Sequence, residues 1–345
     1  MGCKYCNKTE ENNDIDFPTK GSLIFNTQFD NFLIETESEK LTNDEFDKNI
    51  PENYLNYSNE HVFNLPPELK EKKDLHSVQP IKFKNGNIFK GKWNNEKRME
   101  GKGKYYLKDD NIFIEGLWEN GELKYGRIFM PDGNIYKGEI KDSKYNGKGK
   151  LILTDAEYEG LFENGEFKNG KLKWNNGYEY EGDFNGFCLN GKGKLKNSDG
   201  DLYEGDFVNN LFHGKGTYKY FKSKNIYEGE FQYGMKKGKG KYTVNGQYIY
   251  EGNWDNDMPF GYGKLSNWDD TCNLKCTFRD GKIAEEPIYI KGSKEIINPE
   301  TFEIKPEEMN INITKLSHIN NQINNQEDGT IIFKPGSIRS FFSDE

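Results

Sequence analysis

The residues that open the chain, Met1-Gly2-Cys3-Lys4-Tyr5-Cys6, are of the types that accept fatty acids. Removal of Met1 exposes Gly2 for N-myristoylation, and Cys3 or Cys6 supplies a thiol for S-palmitoylation, although Cys6 stands where the pattern has Ser or Thr. Myristate alone gives marginal, reversible membrane binding, so a second signal is required. Lys4 and Lys8 are followed at once by Glu10, Glu11, Asp14 and Asp16, which rules out a basic patch and leaves a thioester. The Cys3-x-x-Cys6 spacing also suits a zinc or redox pair. Its available partners, Cys272 and Cys276, lie far along the chain inside strand-like sequence.

Catalytic patterns are harder to find. Gly-Lys-Gly recurs at Gly101/Gly103, Gly147/Gly149, Gly191/Gly193, Gly214/Gly216 and Gly238/Gly240. A phosphate loop needs a glycine five residues before its Gly-Lys and Ser or Thr directly after, and no copy supplies both. His213 alone of the four histidines falls among these repeats, with no paired His, Cys or acid at catalytic spacing. The sequence is therefore read as that of a non-enzyme, with no cofactor and no metal.

Elements that position these residues follow from a second periodicity. Tyr203-Glu204-Gly205-Asp206-Phe207, Tyr227-Glu228-Gly229-Glu230-Phe231 and Tyr250-Glu251-Gly252-Asn253-Trp254 share one pattern, and looser copies place its glycine at Gly91, Gly116, Gly138, Gly160 and Gly182. Leu274-Lys275-Cys276-Thr277-Phe278 is a ninth copy in which Cys276 replaces the glycine. Strand alternation puts Tyr203, Gly205 and Phe207 on one face and Glu204 and Asp206 on the other. Each repeat reads as a β-hairpin turning at sites such as Asn209-Asn210, where Asn tolerates left-handed angles. The glycines leave gaps in which a ring from a neighbouring strand is expected to lie. A lone hairpin is marginal, so the units must stack and stabilise one another as nearest neighbours. Two strands per repeat at about 4.8 Å predict an elongated sheet roughly 75 Å long.

This recurring Tyr-x-Gly-x-Phe/Trp followed by Gly-x-Gly resembles the MORN repeat family across residues 81–284. The resemblance implies an all-β fold: an elongated single-layer antiparallel sheet of stacked hairpins with an aromatic groove, flanked by largely irregular or partly helical segments. It also implies scaffolding near membranes and cytoskeleton, and self-association, leaving a homodimer open. Ile114 and Ile140 replace aromatics in the second and third repeats and mark expected weak links. The stretch from Tyr220 to Asn225 is longer than its counterparts and is expected to bulge.

Charge divides the chain in the same places. Residues 1–80 carry a net −8, residues 81–284 a net +4 and residues 285–345 a net −5. The first segment reads as an acidic, partly disordered tether, with short apolar clusters such as Leu23-Ile24-Phe25 and Phe32-Leu33-Ile34 open to helix formation or partner binding. In the last segment Met309, Ile313, Leu316, Ile319 and Ile323 fall near helical spacing behind Pro306-Glu307-Glu308, which predicts a helix to cap the sheet edge. No run approaches the roughly 18 apolar residues of a membrane span. The array lysines Lys102, Lys148, Lys192, Lys215 and Lys239 are balanced by Glu159, Glu181, Glu204, Glu228 and Glu251, so cross-strand pairing is expected and nucleic acid is not.

Together these observations predict a non-enzymatic scaffold or adaptor at the cytosolic face of a membrane, anchored through Gly2, Cys3 and Cys6. Its protein partner is expected along a groove lined by Tyr180, Phe184, Tyr203, Phe207, Tyr218, Tyr227, Phe231, Tyr242, Tyr250 and Trp254. Two alternatives stay open: a ciliary or cell-cortex cytoskeletal component without lipid, and a targeting subunit for a separate enzyme such as a phosphoinositide kinase.

Overall fold

The computed structural model describes residues 39–60, 62–70, 72, 75–290, 301–304, 307 and 309. Gly2, Cys3, Cys6 and the expected helix beyond Met309 lie outside them. Two compact units are built, one from residues within 14–168 and one from residues within 169–321. Both are made of consecutive antiparallel hairpins, as the alternation of aromatic and glycine requires.

In the unit from 169 onward, hairpins run Glu179–Asn185/Cys188–Lys196, Leu202–Val208/Leu211–Lys219, Ile226–Gln232/Met235–Val244 and Tyr248–Asp255/Met258–Asn267, with Asn273–Arg279 at the end. The turns are of the type foreseen: Asn209 and Asn210 both take positive φ, 49° and 66°, the two-residue form that matches strand twist. Asn210 Oδ1 also accepts the Leu189 N–H at 2.6 Å, fastening its turn to the hairpin before it.

The two glycines of Gly-Lys-Gly do different jobs. Gly205 pairs with Gly216, but the next pair is Asp206 with His213, so Gly214 and Lys215 form a bulge. Gly214 has φ +56° there, a left-handed value that disfavours side chains. The Asp206 carboxylate closes the bulge by accepting the Lys215 N–H at 3.2 Å, as Asp183 does for Lys192 at 3.1 Å. Gly216, by contrast, lies beneath a ring: a Cβ added to it would sit 2.6 Å from Tyr203 Cε2. The ring over Gly205 comes from Tyr203 on its own strand, two residues earlier, rather than from a neighbouring strand as expected, and it extends across to cover Gly216.

That geometry explains tyrosine. The hydroxyls of Tyr180, Tyr203, Tyr227 and Tyr250 each donate to the backbone carbonyl three residues on, at 2.9–3.0 Å, so the polar end of each flattened ring is satisfied. Burial pushes the pKa of these phenols well above the usual tyrosine range.

Between 39 and 168 the same hairpins occur, with a cover. Thr42 and Glu45 form a reciprocal capping box that starts helix α1 (Asn43–Asn49), and helix α2 (Glu52–Glu60) follows. Phe46, Ile50 and Tyr54 pack with Ile88, Tyr106, Phe113 and Phe129. The stretch read as a tether is thus, from Leu41 to Ser58, part of a folded unit. The strands beneath carry apolar doublets, Tyr105-Tyr106, Phe113-Ile114 and Ile128-Phe129, because both of their faces are buried. Ile114 leaves Gly116 without a ring, and Leu123 fills in: a Cβ on Gly116 would meet Leu123 Cδ1 at 2.3 Å.

Candidate functional site

All ten predicted groove residues are buried, and their rings pack on one another. Tyr203 stacks on Phe212 at 3.8 Å between centroids and meets Phe207 and Phe231 edge-on at 5.1 Å. Tyr227 and Tyr250 meet Trp254 at 5.1 and 5.5 Å. The surface of these rings is spent inside the chain.

The charged strand positions form a cross-strand ladder, two residues out of the expected register. Between hairpins Gly193 pairs with Gly205, which sets Lys192 against Asp206, with Nζ and Oδ1 2.5 Å apart, while Glu204 faces Lys194. Lys241–Glu251 and Lys171–Glu181, at 3.5 and 3.7 Å, belong to the same ladder. Phe260 and Tyr262 interrupt it. They occupy the slots that His213 and Lys215 fill in an earlier hairpin, and are 56% and 77% exposed.

Under α2 the ladder is buried. Glu115 faces Lys104 on one side and Arg127 on the other. Arg127 Nε donates to Glu115 Oε2 at 3.1 Å, Lys104 Nζ lies 3.1 Å from Oε1, and Ser58 of α2 donates to the same carboxylate. The Arg127 guanidinium also lies 5.3 Å from the Tyr57 ring centre and 5.2 Å from that of Phe129. This network ties α2 to the sheet.

Sequence reasoning missed Lys236. It pairs with Phe231 in the slot where other hairpins place Leu189, Phe212 and Pro259, and it is 1% exposed. Its Nζ lies 5.3–5.5 Å from the ring centres of Tyr220, Tyr227, Tyr242 and Trp254 and donates to Tyr220 Oη at 2.7 Å. Burial lowers the ammonium pKa to about 8, against an opposing pull from Asp257 and Glu307. The signal was present as a Lys-Lys pair, Lys236-Lys237, where alternation calls for an apolar residue.

Outside this cage lies a segment from the C-terminal flank. Phe302 meets Tyr248 at 5.0 Å, Ile304 is fully buried with its N–H donating to Gly281 O at 2.8 Å, and the backbones of Glu303 and Lys282 pair in an antiparallel β-bridge. Glu307 ends the contact on the loop that was expected to bulge. Its Oε2 accepts from Ser223 Oγ at 2.8 Å and Asn225 Nδ2 at 2.9 Å, and its backbone carbonyl accepts from Tyr220 Oη at 3.1 Å. Among the described residues no group of three His, Cys, Asp or Glu is placed to hold a metal ion.

Comparison with known proteins places these hairpins. The MORN repeat family model matches residues 89–112, 136–155, 203–222, 227–248 and 250–269. No curated protein sequence matches the chain. Among solved structures, the TCP10 domain of Danio rerio CPAP, in complex with a peptide of STIL, is similar at 9% identity and a TM-score of 0.26, over 60% of this chain and 81% of that one. The SAS-4 TCP domain of Drosophila melanogaster is similar at 8% identity and a TM-score of 0.20, over 67% of this chain and 98% of that one. Likeness at these TM-scores carries no inference about what this chain does.

Proposed function

Because this chain carries MORN repeats across residues 89–269, we propose that it is a non-enzymatic scaffold that binds a protein partner on its hairpin array and is held at the cytosolic face of a membrane by acylation. The observation that carries the partner reading is the exposed pair Phe260 and Tyr262. The ten predicted groove rings are committed to internal packing, whereas these two stand on strands in slots that elsewhere hold His213 and Lys215. Aromatic residues at the centre of a patch are the common anchors of protein interfaces. The ten buried rings serve this function by fixing strand spacing, so that outward residues of successive hairpins are held in a set order.

A photo-crosslinking residue in place of Tyr262 in the full-length chain should capture discrete protein partners in cells, and the same residue in place of Glu204 should capture few. Equal capture at both positions overturns the partner site.

The membrane part rests on Gly2, Cys3 and Cys6. Myristate delivers the chain transiently, and a palmitoyl thioester retains it, since buried methylenes contribute about 0.8 kcal/mol each. Mass spectrometry of the native N-terminus should show acylated Gly2, and Gly2→Ala should move the protein from the membrane to the soluble fraction. An unmodified Met1 with membrane association intact overturns the anchor. Retention of Gly2→Ala in a detergent-insoluble fraction indicates a cytoskeletal component instead.

A further inference from the structure

A lysine in the Lys236 slot does nothing for the array that Phe212 does not do better. Removing an ammonium from water is unfavourable, and an apolar residue of similar volume in such a place is commonly neutral or stabilising. The four surrounding rings offset part of that penalty, but they do not explain why a charge is there. Its hydrogen bond does. By donating to Tyr220 Oη, Lys236 occupies that oxygen's lone pair and leaves the hydroxyl proton directed at the carbonyl of Glu307. The Glu307 carboxylate is received beside it by Ser223 and Asn225, and Asn225 is itself held by donating to Tyr242 Oη at 3.1 Å. Three neutral donors and a buried cation behind them converge on one acidic residue. The segment that brings it pairs with the sheet at Glu303 and carries an aromatic residue at Phe302, an aliphatic one at Ile304 and the acid three residues later. Gly281 is needed for its passage, since a Cβ there would lie 2.6 Å from Ile304 O.

We propose that Tyr220, Ser223, Asn225 and caged Lys236 form a socket for the acidic residue of an extended aromatic-x-aliphatic-x-x-acid peptide, and that Glu307 fills it in cis. The inference rests on the reading of the chain as a partner-binding scaffold and names the chemistry of one partner. A partner segment of this pattern binds by displacing residues 302–307, and so binds the closed chain weakly. A tethered competitor acts at an effective concentration in the millimolar range, so the apparent affinity of a free peptide falls with the fraction of sockets open.

The test uses the full-length chain and a fluorescent synthetic peptide copying residues 299–310. A chain carrying Phe302→Ala, Ile304→Ala and Glu307→Ala should bind the peptide at least about tenfold more tightly than the wild type. Changing Glu307 to Gln in the peptide should weaken binding to that opened chain by about tenfold, the scale of a hydrogen bond to a charged group. Lys236→Met added to the opened chain should abolish the preference for Glu over Gln. If that variant fails to fold, Ser223→Ala at the rim should weaken the Glu peptide by about tenfold while leaving the Gln peptide nearly unchanged. Equal binding to wild-type and opened chains, no binding to the opened chain, or equal binding of Glu and Gln peptides would overturn the socket. Crosslinking from position 262 reports separately on the scaffold reading: partners captured there without peptide binding sink the socket alone, and peptide binding without captured partners sinks the scaffold.

Discussion

Replacing Gly216 by Ala tests whether ring and glycine form one packing unit. The new Cβ would lie 2.6 Å from both Tyr203 Cε2 and Tyr203 Oη, so the ring has to leave. Eviction exposes a fully buried tyrosine, roughly 1.5–3 kcal/mol, and breaks its 2.9 Å bond to Asp206 O, about 1 kcal/mol. It also disturbs contacts with Phe207, Phe212 and Phe231, which brings the expected loss to about 4 kcal/mol. Tyr203→Ala alone should cost a similar ~3–5 kcal/mol. The two losses have one cause, so the double variant should be little worse than either single, with a coupling of about 3 kcal/mol. Gly186→Ala is the control: φ is +61° with nothing within 4 Å of the added atom, so only backbone strain of about 1–2 kcal/mol is expected, additive with Tyr203→Ala. Urea unfolding followed by circular dichroism supplies the comparison, provided the denaturant slope is unchanged. An additive Gly216/Tyr203 cycle, or a Gly216→Ala no worse than Gly186→Ala, would refute the packing unit.

Other expectations follow from the buried charges. Lys236 has a native pKa of about 8 against an ordinary 10.5, so the native state releases this proton before the unfolded state does, and stability rises with pH across that window by at most roughly 3 kcal/mol. Urea midpoints of the wild type should therefore gain on those of Lys236→Met between about pH 7.5 and about pH 10; a constant difference would show that burial does not lower the pKa of this lysine. Above about pH 10 the buried tyrosines reverse the trend, because they stay protonated in the native state while unfolded tyrosines ionise. Arg127→Leu leaves Glu115 buried against Lys104 and Ser58 alone and should cost about 3–5 kcal/mol, whereas Arg127→Leu with Glu115→Leu should cost far less. Limited proteolysis should find α2 cut faster in the single variant, and equal cutting of both would mean the network does not hold the helix. Glu204→Ala, on the exposed ladder, should shift the midpoint by no more than about 0.5 kcal/mol.

Repeat, hairpin and turn were legible in the sequence because each has a local cause. Aromatic-x-Gly-x-aromatic fixes a strand face, and Asn209-Asn210 fixes a turn, without reference to distant residues. The register of the charges was not legible. Within a hairpin the bulge at Gly214 and Lys215 leaves Glu204 facing Thr217 rather than Lys215, and between hairpins the pairing of Gly193 with Gly205 sets Lys192 against Asp206. Helix α1 was announced by Thr42-x-x-Glu45, yet the acidity of the surrounding segment outweighed that signal. The doublets Tyr105-Tyr106, Phe113-Ile114 and Ile128-Phe129 were a second clue, since a sheet with one wet face has no use for apolar residues at consecutive positions. Lys236 was hidden for a different reason. Its surroundings come from Tyr220, Tyr242, Trp254 and Glu307, which no local pattern brings together.

Each departure from the repeat coincides with something laid across the sheet or left open on it. Where strands carry apolar doublets, α1 and α2 cover the outward face and the Glu115 ladder becomes a buried network. Where an apolar slot holds Lys236, the segment ending at Glu307 is fastened. Where the ladder gives way to Phe260 and Tyr262, nothing within the described chain covers them. A hairpin that kept the whole pattern would be complete with its neighbours alone, its rings over glycine and its charges paired across strands, and would have no remaining group with which to select a ligand. Recognition in such an array has to reside in the repeats that break the rule, and in the second unit those are the hairpins bearing Lys236 and Tyr262, which stand next to each other in the chain.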